Sequence, residues 1–73
     1  MQTIEEQKIL ETIGSKVRML RKERNLSQFE LGIAADTAKN QIGRIERALT
    51  NPTVLTLHKI AKVFDVNIKF FFE

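Results

Sequence analysis

The sequence predicts an all-α fold, and three observations predict it. Ser27 with Glu30, and Thr3 with Glu6, are S/T-x-x-E pairs, the spacing at which a hydroxyl and a carboxylate each satisfy a free backbone N–H at a helix start. Apolar residues recur at three- and four-residue steps along most of the chain, the period of a helix face. Between Leu26 and Pro52, LSQFELGIAADTAKNQIGRIERALTNP reads as two short helices joined by a tight turn, and the chain is organised around it.

The first helix is predicted from Ile4 to about Asn25. Ile9, Leu10, Ile13, Val17 and Leu20 form its inward stripe. Gly14 interrupts the stripe mildly, and a start after Gly14 is the alternative. Leu10, Ile13 and Val17 would also serve as a partner-binding stripe, although core packing explains them with fewer assumptions.

The second helix starts at Gln28 after the Ser27 cap and runs to about Ala35. Asp36 and Thr37 are the turn, with Asp36 at a left-handed position that aspartate tolerates better than most residues. Gly32 reads either as a close-approach point between helices or as a weak spot of roughly 1 kcal/mol relative to alanine.

A third helix is expected from Ala38 to about Arg47. At about 100° per residue, Ile42 and Ile45 project to one side, while Lys39, Asn40, Gly43, Arg44 and Arg47 fan across the other. The outward side carries the donors that phosphates and base edges require, and an ordinary solvated helix face has the same composition. Pro52 prevents this helix from continuing. Thr53 caps a fourth, from Val54 to about Phe64, with Leu57, Ile60, Ala61 and Phe64 inward.

The spacing of these residues resembles the phage repressor and Cro-like helix-turn-helix family, also called the XRE family. Gln28, Leu31, Gly32, Asp36, Ile42, Ile45, Glu46 and Asn51-Pro52 carry the resemblance, which extends from about Ile13 to Phe72. Asp36 stands where glycine is usual, Ala38 where the third helix usually has a serine or threonine cap, and Ala48 where glycine often follows that helix. Thr37 is the expected substitute cap. The resemblance implies a lambda-repressor-like five-helix domain over residues 1–73. Its helix-turn-helix spans about 28–47, and a short fifth helix at 68–72 turns Ile68, Phe71 and Phe72 inward after the Asn67 cap. It also implies that Arg21 pairs with Glu46, tying the first helix to the reading helix and fixing its angle.

Composition bounds the function. Seventy-three residues with 42% hydrophobic and 29% charged content describe one small soluble domain with room for one binding site. There is no cysteine, the single histidine, His58, has no partner for a metal site, and the nine acids form no catalytic arrangement. No cofactor, metal or enzymatic activity is therefore expected. The lack of a membrane-length apolar run, a signal-like start and cysteines points to the cytoplasm. Net charge is only +3. Between Lys16 and Arg47, however, eight basic residues face four acidic ones, as in a nucleic-acid footprint.

Together these readings predict a homodimeric, duplex-DNA-binding transcriptional regulator. Lys39, Asn40, Gln41 and Arg44 are the candidate base readers: Arg44 suits the O6/N7 edge of guanine, and Asn40 or Gln41 the N6/N7 edge of adenine. Gln28, at a helix start, is expected to position a phosphate, with Arg47, Thr50 and Asn51 donating nearby. Phe70, Phe71 and Phe72 form the expected dimer interface, as a helix or, alternatively, as an intermolecular strand. An antitoxin or a helical adaptor with a toxin or other protein partner is the competing reading.

Overall fold

A computed structural model describes residues 2–73. Four α-helices and a C-terminal 3-10 helix follow one another: α1 Ile4–Glu23, α2 Gln28–Ala34, α3 Gln41–Glu46, α4 Val54–Phe64 and the 3-10 helix Ile68–Phe72. There is no strand among the described residues. Helix α1 packs across α3 and the 3-10 helix, and α2 lies against α3 and α4.

Three of the helix starts are capped as their sequences dictate. Thr3 and Ser27 accept from the N–H groups of Glu6 and Glu30, and both glutamates reach back to the cap backbone. Thr53 Oγ1 accepts from Thr56 N–H at 3.1 Å. Helix α1 runs unbroken through Gly14, buries Leu10, Ile13, Val17 and Leu20, and ends two residues before the expected Asn25. Ile9, expected on the inward stripe, is 54% exposed. Leu10 holds the inward direction at that turn, and Ile9 lies about 100° away from it.

Helix α3 departs most from expectation. It starts at Gln41 rather than Ala38, and Thr37 does not cap it: the Thr37 hydroxyl donates to Gly32 O at 3.4 Å instead. Alanine at position 38 offers no oxygen to the free N–H groups of a longer helix. The chain makes a turn there, with Gln41 N–H donating to Ala38 O at 3.1 Å and Asn40 left-handed at φ 67°.

The expected fifth α-helix is a 3-10 helix, and this changes which side chains turn inward. Asn67 caps it through Lys69 N–H at 3.0 Å. With three residues per turn, Ile68 and Phe71 eclipse each other on the core side, and Phe72 falls a third of a turn away. Phe71 is accordingly fully buried, whereas Phe72 is 55% exposed. Phe70 is half-buried, edge-on to Phe71 at 5.9 Å between ring centres, and covered by Lys16, whose Nζ lies 4.8 Å from its ring centre. Lys16 Nζ also donates to the carbonyls of Phe70 and Glu73, fastening the segment to α1.

Val17, Leu31, Ile45, Ile60, Phe64 and Phe71 centre the core, so every helical element contributes to it.

Candidate nucleic-acid interface

Ile42, Gly43 and Ile45 anchor α3 in the protein body. Their burial leaves Arg44 and Arg47 facing solvent. Lys39 and Asn40 are exposed as well, but they stand on the turn before α3 rather than on the helix, and Gln41, its first residue, is half-buried. The donor set is therefore presented by a turn and a short helix in succession. Between Ala38 and Thr53 the only acidic residue is Glu46, and its side chain is 2% exposed.

Glu46 is turned inward by Arg21. Arg21 Nε donates to Oε2 at 2.6 Å and Nη2 to Oε1 at 3.0 Å, a two-pronged pair between α1 and the end of α3. Arg21 Nη1 adds a bond to Leu26 O at 2.9 Å, so one guanidinium ties three parts of the chain. The hydrogen-bonded carboxylate raises the Arg21 pKa against the opposing effect of burial, and the guanidinium stays charged. Such a pair adds little net stability, because desolvation offsets attraction, but it fixes geometry.

Where α1 crosses α3, Gly14 meets backbone. A methyl group there would fall on the carbonyl oxygen of Ile45 and 2.8 Å from that of Glu46. Gln7 Nε2 donates to Ala48 O at 3.4 Å on the same side. Gly32, by contrast, makes no such approach: an added methyl would lie 3.4 Å from Thr37 Oγ1 and 3.8 Å from Ile42 Cγ1. The close-approach glycine is Gly14, which periodicity alone marks only as an interruption.

Gln28 opens α2 beside this surface, exposed, with its Nε2 donating to Glu46 Oε1 at 3.1 Å. A cleft between the start of α2 and the turn before α3 is lined by Gln28, Phe29, Ile33, Lys39 and Asn40. Phe29 and Ile33 are 75% and 66% exposed. Sequence reasoning missed both. Their spacing, four residues apart on the side of α2 away from Leu31, was the available signal. Arg44 Nη2 lies 3.5 Å from Leu49 O, Asn51 is exposed and Thr50 half-buried in the loop behind α3.

The expected terminal interface requires correction. Phe71 belongs to the core, and Phe70 is partly covered by Lys16; only Phe72 of the three presents a large apolar surface. It lines a shallow depression with Lys8, Ile9 and Thr12 of α1. Among the described residues, no group of His, Asp or Glu stands where it could hold a metal ion, and no helix is long and apolar enough to cross a membrane.

Comparison with known proteins places this geometry among relatives. A helix-turn-helix family model matches residues 17–71. The transcriptional regulator SinR of Bacillus subtilis is 40% identical over 57 residues, covering 77% of this chain and 51% of SinR. The immunity repressor of Bacillus phage phi105 is 32% identical over 57 residues, covering 78% of this chain and 40% of the repressor. The chain thus spans about half the length of these curated relatives. Among solved structures, the restriction-modification controller protein C.AhdI of Aeromonas hydrophila superposes with a TM-score of 0.81 at 27% identity. That match covers 86% of this chain and 96% of C.AhdI.

Proposed function

Since the chain belongs to the helix-turn-helix family of DNA-binding transcriptional regulators, we propose that it binds duplex DNA as a homodimer on a pseudo-palindromic operator. In this reading α2 and α3 form the helix-turn-helix. The turn 38–40 and the outer face of α3 enter the major groove, and two copies place them about 34 Å apart.

One observation carries the reading: the exposed side chains from Lys39 to Arg47 are all neutral or cationic donors, because Arg21 has drawn the single carboxylate, Glu46, inward. A solvated helix face has no need to hide its only acid. Arg44 is assigned to guanine, and Lys39, Asn40 and Gln41 to neighbouring base edges. Gln28, Arg47, Thr50 and Asn51 are assigned to phosphates. The second copy is taken to dock on the Ile9 and Phe72 surface, two apolar side chains each more than half exposed around one depression.

Selection of bound sequences from a random duplex library at near-physiological salt tests this. Two inverted half-sites about one helical turn apart are expected, whereas salt-sensitive binding without an enriched motif would overturn it. Arg44→Ala should cost about 1–3 kcal/mol on the selected site and relax preference at one base pair. Equal weakening on all sequences would reassign Arg44 to a phosphate.

A further inference from the structure

The Gln28 amide is fixed by one hydrogen bond at its nitrogen, and its oxygen occupies space that the missing side chain of Gly43 leaves open. Its Nε2 donates to Glu46 Oε1 at 3.1 Å, and its Oε1 lies over Gly43, where an added methyl would stand 2.9 Å away. A carboxylate only accepts, so the amide end that faces Glu46 is the nitrogen. Glu46 in turn receives Nε and Nη2 of Arg21, and this guanidinium offsets its charge. An anion approaching Gln28 therefore meets a neutralised carboxylate. Nε2 carries two hydrogens, of which Glu46 uses one, and the residue is exposed.

We propose that Glu46 and Gly43 are positioning residues for DNA binding: together they seat the Gln28 amide so that its remaining N–H faces a single backbone phosphate. The inference rests on the reading in which Gln28 contacts a phosphate. Without the seat, a glutamine rotates about its side-chain bonds and offers its oxygen as readily as its nitrogen. A phosphate oxygen, itself an acceptor, is then repelled in half of the orientations. The same buried carboxylate thus sets the angle of α3 through Arg21 and the polarity of the phosphate contact through Gln28.

The test combines a free-protein measurement with a scan of the DNA backbone. By NMR, the Gln28 side-chain amide of the free wild-type chain should be as rigid as the backbone of α2, and in Glu46→Gln and Gly43→Ala as mobile as a solvent glutamine. On the selected operator, neutral methylphosphonate is placed at each phosphate in turn. Wild type should lose about tenfold in affinity at one Gln28-dependent position, the size of a charge-assisted hydrogen bond. Gln28→Ala should erase the loss at that position, and Glu46→Gln and Gly43→Ala, which leave Gln28 present but free to turn, should reduce it. Gly43→Ala retains the Arg21–Glu46 pair and so serves if Glu46→Gln fails to fold. If Gln28→Ala erases the sensitivity and both seat variants keep it in full, the positioning role is overturned alone. If Gln28→Ala leaves every position unchanged, Gln28 is no phosphate contact, and the proposal falls with that reading.

Discussion

Gly14 and Ala48 make opposite demands on a side chain: the first leaves no room for one, and the second carries one in a left-handed conformation. At Gly14 the backbone carbonyls of Ile45 and Glu46 occupy the space a side chain would need. Alanine there gains about 1 kcal/mol in helix propensity. Backbone cannot swing aside as a flexible side chain can, so overpacking should outweigh that gain and leave Gly14→Ala about 1–3 kcal/mol less stable in urea denaturation. Gly32→Ala is the matched control, because its nearest neighbours stand at 3.4 and 3.8 Å, and it should be neutral or slightly stabilising. Equal effects at the two glycines would disprove the close crossing of α1 and α3. Ala48 is strained in the other sense: it holds φ 58° with a Cβ. Ala48→Gly should raise stability by about 0.5–1 kcal/mol, since relief of the left-handed penalty exceeds the added freedom of the unfolded chain. A fall in melting temperature would show that the buried methyl matters more than the backbone.

The helices show why some of the architecture was legible and some was not. Every α-helix ends the same way, with a left-handed residue whose follower donates back to the last turn: Asn25, Asp36, Ala48 and Asp65, followed by Leu26→Arg21, Thr37→Gly32, Leu49→Arg44 and Val66→Ala61 N–H to C=O bonds of 2.9–3.1 Å. None of the three glycines stands at such an end; all lie inside helices. Helix starts were readable because Thr3, Ser27 and Thr53 act on neighbours within three residues. The inward face of α4 was readable from its period for the same reason. The start of α3 was not, because it depends on an absence, the missing cap oxygen at Ala38, and on Asn40 accepting a left-handed conformation. Nor was the role of Phe72, since α and 3-10 periods agree on Phe71 and diverge one residue later. At the candidate site the donors Lys39, Asn40 and Arg44 were visible as residue types. The Gln28 contact to Glu46, eighteen residues distant, needed the folded chain. The Ser27–Glu30 cap of α2 also carries a pH dependence. Backbone and hydroxyl hydrogen bonds from Ser27 lower the Glu30 pKa below its ordinary value of about 4.5. A depressed carboxyl stabilises the fold above the ordinary value and loses that contribution as pH falls through the folded one. Stability measured from pH 6 down to pH 3 should therefore drop less steeply in Glu30→Gln than in wild type. Parallel curves would mean that the cap does not survive in solution.

For the whole molecule the proposed homodimer is the prediction to test, and core packing restricts which substitutions can test it. Deleting the residues from Ile68 onward would remove Phe71, which is fully buried. Loss of a buried phenylalanine costs about 3–5 kcal/mol, a large part of what a 73-residue chain has. A truncated chain would fail to dimerise simply because it unfolds. Phe72 is the usable probe, being 55% exposed beside Ile9 at 54% and outside the core cluster. Phe72→Glu should leave the helical circular dichroism and the melting curve of dilute protein unchanged, and should shift sedimentation velocity from dimer to monomer at micromolar concentration. Operator affinity should then fall by about 10²–10⁴, the gain that a second linked half-site confers, while binding to a single half-site stays the same. Retention of the dimer in Phe72→Glu would move the interface elsewhere. The exposed apolar residues Leu49, just after α3, and Val54 and Leu55, at the start of α4, at 60–70% exposure, would become the next to substitute.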